Sequence, residues 1–166
     1  MKKKTNKKNK NDFKIGIIVS GFNKIITNDL LKGSMKALAE KGVNKTNITV
    51  YQVPGAFEIP LLFKLLCEKR EDKTDGIITL GCVVKGETAH FEYVSEPVVH
   101  NLNSLSVEYS MPHGFGVLTC YTAEQAFARS QTRIMNEETN KGYESAIAVL
   151  KVIELKKSIT KFSLNF

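Results

Sequence analysis

The feature that most constrains this chain is an alternation. Four short, largely apolar runs are separated by segments in which apolar residues recur at helical spacing. FKIGIIVS (13–20) reads as a strand buried on both faces, and GIITLGCVV (76–84) as a nearly unbroken apolar one. ITVYQV (48–53) and FGVLTC (115–120) supply two more strands. Between the first two, Leu30, Leu31, Met35 and Leu38 share a helical face, with N-caps offered by Thr27-Asn28-Asp29 and a stop at Gly42. A second helix, from about Phe57 to Arg70, turns Ile59, Leu62, Phe63 and Leu66 to one side and tolerates Pro60 only in its first turn. A long helical pattern follows the loop KGETAH and runs to about Glu108, and Pro97 is expected to kink it or mark a late start. Thr122 and Gln125 make a capping box for a helix over TAEQAFARSQTR. After the polar stretch MNEETNKG, a last helix over 143–157 points Ala146, Val149, Leu150 and Ile153 inward. This order predicts an α/β fold, a mostly parallel sheet covered by helices on both faces.

Length and composition narrow the function. A chain of 166 residues with 42% hydrophobic content predicts one domain with a sizeable core. No run approaches the ~20 apolar residues of a membrane span, and the basic opening lacks the apolar stretch of a secretory signal. Three cysteines without CxxC spacing argue against a disulfide framework or a zinc site and for a reducing, cytoplasmic setting. The net charge of +7 is concentrated at the start: residues 1–10 hold six lysines and no acid, so the remainder is nearly balanced. A mobile tail over 1–12, a domain over 13–157 and a short extension over 158–166 are expected. Nucleic-acid binding is not, because the folded part has no basic stripe.

Ligands of parallel sheets sit beyond the carboxyl ends of the strands. That rule selects Gly21-Phe22-Asn23, Gly55-Ala56-Phe57-Glu58, residues 85–90, and Tyr121-Thr122. Gly86-Glu87-Thr88, between a buried strand and a helix start, suits an anion such as phosphate, or is a plain capped turn. His90 follows in the first helical turn, where an imidazole could exchange protons near neutrality, or merely cap and pack the loop. His100 lies deeper in the helix and His113 in the following loop, so neither shares this setting. Glu58 could bind a heterocycle or stabilise a helix start. Phe22 and Phe115 could stack on a planar ring or pack in the core. Arg129 could clamp a phosphate or sit on the surface. Cys82 reads as packing. The sequence contains no GxxxxGK[ST], no GxGxxG, no Ser/His/Asp order and no metal-ligand cluster.

Five segments go further. VPGAFEIP (53–60), LGCVVKGETAHFEYV (80–94), FGVLT (115–119), TAEQAFAR (122–129) and NKGYESA (140–146) closely resemble the lumazine synthase family, over about residues 13–157. The resemblance implies a flavodoxin-like three-layer α/β/α sandwich with a four-stranded parallel sheet. It implies a transferase that condenses 5-amino-6-ribitylaminouracil with 3,4-dihydroxy-2-butanone 4-phosphate, the penultimate step of riboflavin synthesis, without a metal or redox cofactor. The product would pass to riboflavin synthase. Carried over by motif, His90 is the general acid/base, Glu87 and Thr88 contact the phosphate, and Arg129 clamps it. Phe22 stacks on the pyrimidine, Ala56, Phe57 and Glu58 hold ring and ribityl chain, and Cys82, Val83 and Val84 form the adjoining wall. The family's pocket lies between subunits, so Phe115, Arg129 and Lys141 would come from the neighbour of the subunit supplying His90.

Three departures qualify the match. Gly21 and Lys85 each stand where the family often has arginine. The spacing from Arg129 to Asn140-Lys141 is about four residues longer than in capsid-forming members, which points to a pentamer rather than a 60-mer. The competing readings are a non-catalytic flavin-binding module on the same fold and a nucleic-acid interaction protein acting through the tail.

Overall fold

The computed structural model describes residues 12–163, with side chains through Thr160; the expected tail, apart from Asp12, lies outside the described residues. Four strands, β1 (Ile15–Ser20), β2 (Ile48–Val53), β3 (Gly76–Val84) and β4 (His113–Cys120), form one sheet in the order β2-β1-β3-β4. All neighbours are parallel. Five α-helices connect and flank them: α1 (Lys24–Glu40), α2 (Ile59–Glu68), α3 (His90–Glu108), α4 (Ala123–Ala128) and α5 (Lys141–Ser163).

Alternation along each strand divides the core in two. Ile17, Val19, Leu80 and Leu118 face Leu30 and Leu38 of α1 and Val149, Leu150 and Ile153 of α5. Ile18, Ile77 and Val117 face Ile59 and Phe63 of α2 and Val98 and Leu102 of α3. The result is the flavodoxin-like three-layer sandwich with the four-stranded parallel sheet that the family resemblance implied. On the first face, α1 and α5 touch backbone to backbone. A Cβ on Gly142 would fall 1.9 Å from the carbonyl oxygen of Leu30, and one on Gly33 2.1 Å from Asn140 Oδ1.

Register sets the floor of the site. Pairing of β3 with β1 ends at Val19↔Leu80, whereas pairing with β4 continues to Val84↔Cys120. The end of β3 therefore overhangs β1 and walls the space above it.

Several element boundaries differ from expectation. Helix α1 starts at Lys24, because Asn23 adopts a left-handed conformation (φ 53°) and its carbonyl accepts from the amides of Ile26 and Thr27. Thr27 is thus a buried helix residue rather than a cap. Strand β4 begins at His113, which the sequence placed in a loop. Thr79 Oγ1 lies 2.8 Å from its Nε2, and its ring packs edge-on to Phe63, which draws it into the sheet. Helix α2 is shorter than its apolar pattern, and α3 runs through Pro97 from a start at His90, so the late start is wrong. Helix α4 stops at Ala128 instead of reaching Arg133, because Ser130 leaves it to bridge Asn140. Helix α5 extends beyond 157 without a break through 163. No helix among the described residues is long and apolar enough to cross a membrane.

Candidate active site

Three strand ends converge. After β1, Ser20 Oγ accepts from the amide of Phe22 at 3.2 Å, and Asn23 Nδ2 donates to the carbonyl of Cys82 at 2.9 Å. These bonds pin the turn to the β3 overhang and leave the Phe22 ring 69% exposed. After β2, the amide of Gly55 donates to Glu58 Oε2 at 2.8 Å, closing a tight turn that presents Phe57 to solvent. After β3, the 85–89 loop leads into α3. Ala89 caps α3 without a side-chain bond, and the nearest polar support is Thr88 Oγ1, which accepts from the amide of His90 at 3.4 Å. The first-turn amides there suit an anion.

Between these segments lies a cavity of about 650 Å³. Nine of the thirteen residues that the resemblance assigned to the site line it, Phe22, Ala56, Phe57, Glu58, Cys82, Val83, Val84, Thr88 and His90, together with Gly55 and Gly86 from the strand-end segments. Phe91, Tyr93 and Val94 also line it and were not foreseen. Their signal was present, since Tyr93 and Val94 stand three and four positions after His90 and so share its helical face. The walls suit a planar ring, with large apolar side chains exposed to the cavity, and the loop supplies donors at one end.

The remaining four residues lie elsewhere. Glu87 is exposed in the loop and does not line the cavity. Phe115 sits on β4 with its ring edge-on to His113, 6.0 Å between centroids. Arg129 is the C-cap of α4, with Nη1 donating to the carbonyl of Gln125 at 2.9 Å. Lys141 opens α5 and pairs with Glu144. The capping box at α4 forms as expected in one half: Thr122 Oγ1 accepts from the amide of Gln125 at 3.3 Å. In the other half, Gln125 Oε1 accepts from Tyr121 rather than Thr122.

Electrostatics sorts the titratable groups. Burial pushes the Cys82 thiol up to about 12, so it stays protonated and serves as wall rather than nucleophile. Burial pushes His113 down to about 4, and it stands at the far end of the sheet from the cavity. Lys85 Nζ binds Glu92 Oε1 at 2.6 Å, and the pair raises the lysine and lowers the carboxyl. No group of three or more His, Cys, Asp or Glu side chains among the described residues could hold a metal.

A parallel sheet whose strand ends enclose an apolar slot, a helix-start anion loop and an exposed histidine defines an α/β enzyme of small-molecule chemistry. The family model of 6,7-dimethyl-8-ribityllumazine synthase matches residues 12–157, nearly the whole chain. The chain belongs to that family. It is a transferase of riboflavin biosynthesis that condenses 5-amino-6-ribitylaminouracil with 3,4-dihydroxy-2-butanone 4-phosphate, and its family assembles as homo-oligomers.

Proposed function

We propose that the cavity is one half of the condensation site and that His90 is its general acid/base. Phe22 stacks on the pyrimidine, with Ala56, Phe57 and Glu58 holding the ring and ribityl chain against Cys82, Val83 and Val84. The Thr88 hydroxyl and the backbone amides of residues 86–89, with Glu87 contributing through its amide rather than its carboxylate, receive the phosphate. The ring amine attacks the butanone carbonyl and loses water to give an imine; phosphate then leaves, the second amine closes the ring, and a second water is lost. Each step moves a proton, which suits an imidazole beside the reacting atoms. The observation that carries this reading is the meeting of Phe22, Thr88 and His90 on one cavity.

Phe115, Arg129 and Lys141 belong to the site through the neighbouring subunit. Their position outside this chain's own cavity supports that assignment, because a phosphate at the loop would otherwise lack its guanidinium. The assembly is a pentamer, the product passes to riboflavin synthase, and three free cysteines suit a cytoplasmic setting. The test is turnover of both substrates followed by lumazine absorbance, combined with subunit mixing. His90→Ala and Arg129→Ala are each expected to be impaired alone and to regain activity when co-assembled, since mixed interfaces then contain an intact site. No gain on mixing would place both residues in one subunit's site.

A further inference from the structure

The loop carrying Thr88 and His90 is thinly supported. Every residue from 85 to 90 is exposed, and a Cβ on Gly86 would meet nothing within 4 Å. The one side-chain bond within the loop is the 3.4 Å contact of Thr88 with the amide of His90. Something else must fix its ends. Lys85, the residue after β3, donates its amide to the carbonyl of Cys120 at 2.9 Å and so is anchored to β4. Its side chain then reaches across the loop to Glu92 in the first turn of α3, with Nζ 2.6 Å from Oε1. The ammonium also lies 5.9 Å from the centre of the Phe91 ring and 5.8 Å from that of Tyr121, and those rings stand 6.1 Å apart. One cation thereby ties the ends of β3 and β4 to the start of α3.

We propose that Lys85 and Glu92 form a clasp that positions the intervening loop, and with it Thr88 and His90, for the phosphate substrate. They are positioning residues, and the proposal rests on the roles given to Thr88 and His90 above. Both partners are close to half exposed (42% and 47%), so the pair adds little to global stability and its consequence falls on local geometry. Small misplacements of catalytic groups are costly in rate, which makes a weak bond at this place consequential.

The experiment is a double-mutant cycle in the full chain with Lys85→Met and Glu92→Gln, reading kcat, KM for each substrate and melting temperature. Each single variant is expected to lower kcat/KM for the butanone phosphate by about 3- to 10-fold, and the double variant to fall no further, because the two residues act as a unit. Melting temperatures should stay within about 2 °C, and Lys85→Arg, which keeps charge and ring contact, should retain activity. If Lys85 instead attracts the phosphate as a free cation, Glu92→Gln would tighten binding while Lys85→Met weakens it; such opposite signs overturn the clasp. So do additive losses, unchanged kinetics in both variants, or a rate loss that merely follows a fall in melting temperature. A wild-type protein that forms no lumazine sinks the functional reading itself, whereas active wild type with indistinguishable variants sinks the clasp alone.

Discussion

The amide of Lys141 donates to the carbonyl of Arg129 at 2.8 Å, so two cations separated by a long polar connection leave neighbouring points of one backbone. Ser130 and Asn140 bridge beside them. Asn140 is fully buried and uses its whole side chain: Nδ2 donates to the carbonyls of Asp29 and Gln131, and Oδ1 accepts from the amides of Gly142 and Tyr143. Added length between 130 and 140 therefore loops outward without moving either cation.

That geometry makes Arg129 a test of the proposed site between subunits. Arg129→Ala should raise KM for the butanone phosphate by about 10-fold or more while leaving the pyrimidine nearly untouched, since a charge-assisted bond is worth about 1.5–3 kcal/mol. Varying each substrate at saturating concentration of the other gives the answer. Equal weakening of both would argue against a phosphate role.

His90→Ala should slow turnover without disturbing folding, because the side chain is exposed at the cavity mouth. A full general acid/base contributes about 10²–10⁴ in rate, and amines condense with carbonyls partly unaided, so a loss at or below the bottom of that range, about 10- to 100-fold, is expected. An unchanged kcat would remove His90 from the mechanism.

Much of this was legible in the residues, and the misses have a physical pattern. The four strands and the convergence of Phe22, Phe57 and His90 followed from apolar runs and the strand-end rule, both of which depend on local patterning. Element edges did not. The cap at Asn23 needs a left-handed backbone, and the early start of β4 needs a bond from His113 to Thr79, thirty-four residues away. Helix α4 stops because of Asn140, which no local propensity encodes. The cavity residues Tyr93 and Val94 were readable from helical spacing, once His90 was taken as a reference point.

His113 predicts a pH dependence of stability. Its folded pKa, about 4, lies below the ordinary 6.5, so the unfolded chain binds the extra proton first. Stability is full above about pH 6.5 and is lost as pH falls toward 4, by about 2 kcal/mol between pH 7 and pH 5 from this group alone. Denaturant unfolding at fixed protein concentration should show that slope, and His113→Gln should flatten it. A variant that keeps the full slope would assign it to other groups.

Two glycines separate fold from function. Gly142→Ala forces a Cβ against the carbonyl of Leu30 at 1.9 Å, a backbone contact that cannot yield cheaply, so a loss of about 3 kcal/mol or more and poor soluble yield are expected. Gly86→Ala meets nothing within 4 Å and needs no unusual φ, so its melting temperature should be unchanged. If the loop backbone approaches a phosphate, that same Cβ intrudes only when substrate binds, and KM for the butanone phosphate should rise several-fold. A wild-type KM in Gly86→Ala would separate the loop from phosphate recognition.

The outward connection between Arg129 and Lys141 bears on assembly. It is an ordered turn: Asn136 Oδ1 accepts from the amides of Glu138 and Thr139 at 3.0 Å, and Thr139 Oγ1 donates to the carbonyl of Ile134. Lys36 of α1 anchors it by donating to the carbonyl of Met135 at 3.1 Å, while Ile134 stands 63% exposed. A fixed projection of this kind does not compress when rings of subunits meet, so it should oppose closure of pentamers into a shell. Five copies of an 18.5 kDa chain weigh about 90 kDa, and sixty weigh about 1.1 MDa. Light scattering of the purified protein is expected to return the smaller mass at all accessible concentrations. A particle near a megadalton would mean that the turn fits into the contact between pentamers instead of blocking it.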